Sequence, residues 1–212
     1  MFIELVDALR CPNPHEEIWL VLASGKMEGR DVMKGVLGCP ICHAEYPIEA
    51  GVARFDGGAN SRSRGAVPDE EEALRLAALL DLTDSRGYAI LVGDAGSQAP
   101  RLRALTDVQL LLVNPPSGIE MGNGLSGLTT PMQSLLPLAG LSARAIALDN
   151  AASAELLESA LNVVCPGGRI LAPAGLSIPS GVIELARDER QWVGERARAS
   201  VSSGIVTIHR RH

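Results

Sequence analysis

Aromatic side chains are scarce in this chain. They make up 3% of 212 residues, two each of Phe, Trp and Tyr. A hydrophobic fraction of 46% is nevertheless enough for a core, so that core must be built from Leu, Ala, Val and Ile. The shortage of rings also weighs against a stacked nucleobase as substrate. An excess of positive charge is missing as well: the net charge is -6 and the pI about 5.3. That argues against a nucleic-acid surface built on bulk charge. The local basic run from Arg196 to Arg211 is expected to be a solvated face, and His209 and His212 to be terminal residues without a metal role. No stretch approaches the roughly 18 apolar residues of a membrane span. Residues Met1 to Asp7 lack a basic region followed by an apolar core, so no signal peptide is expected. Cysteines number four: Cys11, Cys39, Cys42 and Cys165. Without an export signal, the Cys39-x-x-Cys42 spacing points to a metal rather than a disulfide, and to a cytoplasmic location.

The length suits one large domain, or a medium domain with a small module. Residues 1–56 have the character of a small module. Ile3 to Leu9 is a short helix or strand, and Ile18 to Leu22 a strand by its β-branched and aromatic content. The polar stretch from Gly25 to Gly35 is a hairpin excursion. Glu45 to Ile48 and Val52 to Phe55 form a last hairpin around Gly51. A zinc ribbon needs two ligand pairs on tight turns. Cys39 and Cys42 supply one. Cys11, joined by His15 four residues on, supplies the other, with His43 as a second candidate nitrogen ligand. Zinc in so small a module would contribute about 10–16 kcal/mol of apparent binding energy.

Residues 57–68 are rich in Gly, Ser and Asn and form a linker. The segment 69–212 alternates apolar runs with helical stripes. Asp69-Glu-Glu-Glu72 opens a helix whose apolar stripe is Ala73, Leu76, Ala77 and Leu80; this is a helix start rather than a metal site. Ala89 to Val92 is a buried strand that runs into the turn Gly93-Asp94-Ala95-Gly96. A short helix covers Ala99 to Leu105. Val108 to Val113 is the second strand, ended by Pro115-Pro116. Residues 117–130, rich in Gly, Ser, Thr and Asn, are a loop, and Met132 to Leu138 is ambiguous. Ala143 to Leu148 is a third strand. Ser153 caps a helix over Ala154 to Val164. Pro166-Gly167-Gly168 stops it and leads into a strand over Arg169 to Ala172. Val182 to Leu185 and Ile205 to Ile208 are the last strands, with a possible helix over Gln191 to Ala199. Strands alternating with helices predict a mostly parallel sheet with right-handed crossovers, here with an antiparallel edge hairpin. A core thiol is the expectation for Cys165.

Two resemblances accompany this reading. Leu9-Arg-Cys-Pro12, with Gly38-Cys-Pro-Ile-Cys-His-Ala-Glu-Tyr-Pro-Ile-Glu-Ala-Gly-Val-Ala-Arg-Phe55, resembles the zinc-ribbon family typified by the small activator subunit of tRNA and protein methyltransferases. That family usually has a second cysteine in its first knuckle, where this chain has Pro14 and His15. Leu136-Pro-Leu-Ala-Gly-Leu-Ser-Ala-Arg-Ala-Ile-Ala-Leu-Asp149, Val164-Cys-Pro-Gly-Gly-Arg-Ile-Leu171 and the turn at Tyr88 to Gly96 resemble the class I S-adenosylmethionine-dependent methyltransferase fold. That likeness implies a Rossmann-like methyltransferase sheet over about residues 70–211, behind a β zinc-ribbon-like module.

It also implies cofactor contacts from Gly93, Asp94 and Gly96 to the methionine part, from Asn114 to the ribose, and from Gln133 near the adenine. Asp149, with Asn150, is the polar pair after the fourth strand and the weak catalytic candidate. Two departures stand out. The turn has two glycines where the family usually has three. The second strand ends in Asn114-Pro115-Pro116 where the family has an acidic residue. Each missing charged contact costs about 1.5–3 kcal/mol, or ten- to a hundredfold in affinity. The expectation is a non-catalytic methyltransferase-like protein that acts by binding a protein partner or a second copy of itself. The alternative is an active methyltransferase with divergent cofactor contacts. A Rossmann-type domain for another nucleotide is disfavoured by the lack of G-x-G-x-x-G.

Overall fold

A computed structural model describes residues 1–57, 67–131 and 135–198. The chain opens with a 3₁₀ helix, Ile3–Ala8, followed by an antiparallel meander: β1 (Val21–Glu28), β2 (Asp31–Gly38), β3 (Glu45–Glu49) and β4 (Val52–Arg54). The polar Gly25–Gly35 stretch is indeed a hairpin. Its arms are longer than the sequence suggests, because β1 starts at Val21 and runs on through Ser24, Gly25 and Lys26. Trp19 makes only an isolated bridge to Arg10.

Helix α1 (Glu70–Leu79) begins as its sequence implies. The Asp69 carboxylate accepts from the Glu72 N–H, and Glu70, Glu71 and Glu72 fill the first turn. Strand β5 (Tyr88–Val92) is buried at every position and passes into a 3₁₀ turn, Gly93–Gln98, then α2 (Ala99–Leu105). Strand β6 is Gln109–Val113. Strand β7 (Leu125–Thr129) lies inside the stretch expected to be a loop. After β8 (Ala143–Ala147), Ser153 caps α3 (Ala154–Val163) through the Leu156 N–H. Strand β9 (Val164–Pro173) then starts directly, so Pro166-Gly167-Gly168 lies within an irregular strand rather than in a separate turn. Strands β10 (Val182–Arg187) and β11 (Gln191–Arg196) form an antiparallel hairpin. The segment Gln191 to Arg196 is therefore a strand and not a helix. The second strand of the expected hairpin, Ile205 to Ile208, and the basic run beyond Arg198 fall outside the described residues.

Among the described residues the strands form one sheet in the order β1-β2-β3-β4-β7-β6-β5-β8-β9-β11-β10. Its centre, β4-β7-β6-β5-β8-β9, is parallel, and both flanks are antiparallel. The fold is thus α/β: a Rossmann-like, mostly parallel sheet with an antiparallel edge hairpin, preceded by β-strands that carry a cysteine cluster. The β4–β7 pairing joins the N-terminal meander to the parallel strands in one sheet.

Side chains alternate between two apolar layers, as the period of two requires. Ala89 and Leu91 of β5 and Leu110 and Leu112 of β6 pack toward Ala73, Leu76 and Leu80 of the α1 segment and Ala99 and Leu102 of α2. Ile90 and Val92 of β5 and Leu111 and Val113 of β6 pack on the other face, with Leu156, Leu157, Ala160 and Val163 of α3. Leu5, Ala8 and Leu9 of the N-terminal segment join that second layer. The segment is tied down by bonds from Ile3 N to Arg30 O, from Phe2 N to Ser126 Oγ and from Ala139 N to Ala8 O. It supplies cover to a face where the β6–β7 connection has no helix of its own. No helix among the described residues is long and apolar enough to cross a membrane.

Candidate functional site

The structure gathers the side chains singled out in the sequence into two groups. They lie in different parts of the sheet.

The first is the cysteine cluster. Cys39 and Cys42 sit on the turn between β2 and β3, where His43 takes a left-handed conformation (φ 59) and returns its N–H to Cys39 O. Cys11 and His15 come from the loop after the first 3₁₀ helix. The Cys11 Sγ, His15 Nε2, Cys39 Sγ and Cys42 Sγ atoms all lie within 4.8 Å of one another. Cys11 Sγ is 3.7 Å from Cys42 Sγ, and His15 Nε2 is 3.2 Å from Cys11 Sγ and 3.4 Å from Cys39 Sγ. A tetrahedron with metal–sulfur bonds of about 2.3 Å has sulfur–sulfur edges of about 3.8 Å, so the donor set and its size fit a structural zinc ion. All four cysteines are free thiols. His43 is not one of the clustered residues.

The groups behind these side chains suit the same use. The His15 Nδ1 is 2.7 Å from Glu16 O, which holds its proton on that nitrogen and leaves Nε2 to face the sulfurs. Asn13 donates its amide to Cys42 Sγ at 3.2 Å, and Tyr46 Oη is 3.5 Å from Cys11 Sγ. Hydrogen bonds from Asn13 and the Ala44 backbone favour the Cys42 thiolate and lower its pKa to about 6. Burial acts the other way on Cys11 and pushes its thiol up. The hydrogen bond to Glu16 O, then the sulfur neighbours, raise the His15 imidazole above its ordinary value.

The second group lies at the C-terminal ends of the parallel strands, where ligands bind in open α/β sheets. Gly93 and Asp94 follow β5, Asn114 follows β6, and Asp149 follows β8, which is β5's other neighbour. The turn at Gly93 requires glycine twice over. Its φ is +56, and a Cβ there would overlap the Asp149 carboxylate. Asp149 Oδ2 accepts from the Asp94 N–H at 3.3 Å, and Oδ1 accepts from Ala151 N at 3.1 Å. Asp149 therefore leans across from β8 and fills the turn itself. Burial is the main reason that its carboxyl is raised above the usual range; the nearby Asp94 charge adds to this, while the two backbone donors oppose it.

Gly96 is packed under Pro116, whose Cδ would lie 3.3 Å from an added Cβ. Asn114 is left-handed (φ 51), and its Oδ1 accepts from Thr130 N at 2.9 Å, so this oxygen braces the end of β7. Gln133 lies outside the described residues. The structure thus brings Gly93, Asp94 and Asp149 together. Asn114 stands at the end of the adjacent strand with its side-chain oxygen engaged in the fold.

Sequence reasoning missed Asp56, which follows β4. Its Oδ1 accepts from Thr129 Oγ1 at 2.8 Å, adding a carboxylate to this end of the sheet. No local motif marks it, since its position depends on the long-range β4–β7 pairing. Cys165 is only partly buried; its thiol donates to Leu141 O at 2.8 Å, and burial raises its pKa.

No protein-family model matches the chain, and no curated protein does. Solved structures resemble it at low identity. A protein from Corynebacterium glutamicum is 16% identical over 63% of this chain and 83% of its own, with a TM-score of 0.46. A chain from the complex between the Haloferax volcanii Trm112 methyltransferase activator and a methyltransferase is 12% identical over 59% of this chain and 90% of its own, at 0.43. The antibiotic-resistance methyltransferase Kmr is 18% identical over 59% of this chain and 93% of its own, at 0.40. Scores and identities of this size assign no role to any residue.

Proposed function

We propose that this chain is a non-catalytic, methyltransferase-like protein of the cytoplasm that acts by binding a protein partner, with a structural zinc ion in its N-terminal module and a degenerate S-adenosylmethionine site. The observation that carries the reading is the Asp149 carboxylate lying in the Gly93 turn. A turn of this kind serves a cofactor by offering bare backbone and free amides. Here one amide, Asp94 N, is already bonded to a carboxylate of the chain, and the space over the glycine is filled. The cofactor's own carboxylate would meet like charge at this position. At the ribose position a neutral amide, Asn114, stands in for an acid and braces β7. Two such losses, at about 1.5–3 kcal/mol each, take affinity down by two to four orders of magnitude.

The zinc-ribbon-like module supplies a surface for a partner. Trp19, Val21 and Ile41 are 61%, 58% and 40% exposed beside the cysteine cluster, and among the described residues β1 is an edge strand of the sheet. A free edge beside exposed apolar side chains is a template for strand addition. The alternative, an active methyltransferase, is favoured by one observation: Asp94, Asn114 and Asp149 stand at the ends of three adjacent parallel strands, β5, β6 and β8.

Calorimetric titration of S-adenosylmethionine and S-adenosylhomocysteine, into protein whose zinc content is measured on the same sample, separates the two. The proposal expects about one zinc per chain and no saturable heat with millimolar ligand. Micromolar binding of either ligand would overturn the non-catalytic reading and direct the search to methyl acceptors.

A further inference from the structure

A cavity of about 570 Å³ opens at the opposite end of the parallel strands from the Gly93 turn. Its floor is made by residues that start strands or directly precede them: Tyr88 of β5, Gln109 of β6 and Ser142 before β8. Its roof is the N-terminal segment, through Phe2 and Ala8. Five strand residues at about 3.3 Å each separate it from the turn, so the two ends are independent sites.

The walls are mostly apolar, and the polar groups are unbalanced. Asp31 Oδ1 and Gln109 Oε1 are both buried with no hydrogen-bond partner among the described residues, although the other Asp31 oxygen accepts from Asn123 N at 3.1 Å. Neither oxygen has appreciable accessible surface, so a ligand in the cavity reaches it only once the side chain turns, and then brings the donor it lacks. The charges around the cavity are Glu4, Asp7, Asp31 and Arg30. Arg30 is spent on Glu4, with which it forms an ion pair. The buried Met1 ammonium is attracted to Asp31 but gives a hydrogen bond to Val32 O at 3.0 Å. The remaining balance is acidic, with two unfilled acceptors beneath an apolar wall of Phe2, Ala8, Ala139 and Tyr88. The terminal torsion of a glutamine is soft, so the Gln109 amide turns toward a ligand at little cost.

We propose that this cavity is a second binding site, for a small ligand with a flat apolar body and a cationic N–H donor group, an amidine or amine, which pairs with Asp31 and Gln109. The site stands whether or not the opposite end of the sheet binds S-adenosylmethionine.

Benzamidine is the probe, and benzoate, of the same shape and opposite charge, is the control. Titration followed by proton–nitrogen NMR reads both the backbone amides and the side-chain amide of Gln109. The expected result is saturable shifts with benzamidine at the Gln109 side chain and at the amides of Phe2 and Asp31, with those of Gly93 to Ser97 unmoved. Benzoate is expected to give none. Asp31→Asn and Gln109→Leu should each weaken benzamidine by at least about tenfold. Equal binding of benzoate, shifts located elsewhere, or no saturable shift at millimolar benzamidine would each overturn the proposal. Should a variant fail to fold, the location of the shifts in the unaltered protein still decides it.

Discussion

Asp149 follows β8 and yet completes a turn that follows β5. Its contact with Gly93 makes that glycine irreplaceable: Gly93→Ala must strain a left-handed backbone and displace the carboxylate. We expect a loss of about 1–3 kcal/mol, measured as a lower urea midpoint. The raised carboxyl also leaves a pH signature. An acid whose folded pKa lies above its unfolded value, about 3.9 for Asp, keeps its proton longer in the folded chain. Stability contributed by this group therefore falls as pH rises from the unfolded value through the folded one. Asp149→Asn removes that fall. The variant should gain stability relative to the parent as pH is raised from acid to neutral, and a constant difference across urea titrations over that range would contradict the account. The proposed metal ligands give a sharper test. Cys39→Ser should cost most of the bound zinc and lower the melting temperature of the chain, as should a strong chelator. His43→Ala should leave the zinc content unchanged, as determined by elemental analysis.

At the scale of elements, what the sequence made legible was whatever burial writes into it. The apolar runs of β5, β6 and β8, and the capped stripes of α1 and α3, are found where their residues imply. The cysteine spacing likewise announced its cluster. Strand β7 was hidden because Leu-Ser-Gly-Leu-Thr is fully buried without an apolar run. Its polar side chains are satisfied over long range, Ser126 by Phe2 N and Thr129 by Asp56. Gly127 lets Val52 of β4 approach, since an added Cβ would lie 2.7 Å from Val52 Cγ2. Gly127→Ala should therefore weaken the β4–β7 pairing and destabilise the chain by about 1–3 kcal/mol in denaturant unfolding. Strand β11 was missed because Gln, Glu and Arg also suit a helix. Its pairing with both β9 and β10, and the complete burial of Trp192, decide otherwise. Trp192→Ala should cost about 3–5 kcal/mol by the same measurement.

For the whole molecule, one sheet carries three features at separate places: a cysteine cluster on the antiparallel flank, a self-filled turn at one end of the parallel strands, and an open cavity at the other. The four-residue spacing of Cys11 and His15 pointed to the nitrogen that joins the three cysteines, whereas the carboxylate that fills the turn depends on strand neighbours far apart in sequence and was not written locally. The central claim is that the Gly93 turn is occupied by the chain's own Asp149 and no longer serves a cofactor. Backbone NMR of the folded, zinc-quantified protein during addition of S-adenosylmethionine tests it at the atoms concerned. The account predicts that the amides of Gly93, Asp94 and Gly96 stay in place at millimolar ligand. Saturable shifts of those amides at micromolar ligand would contradict it.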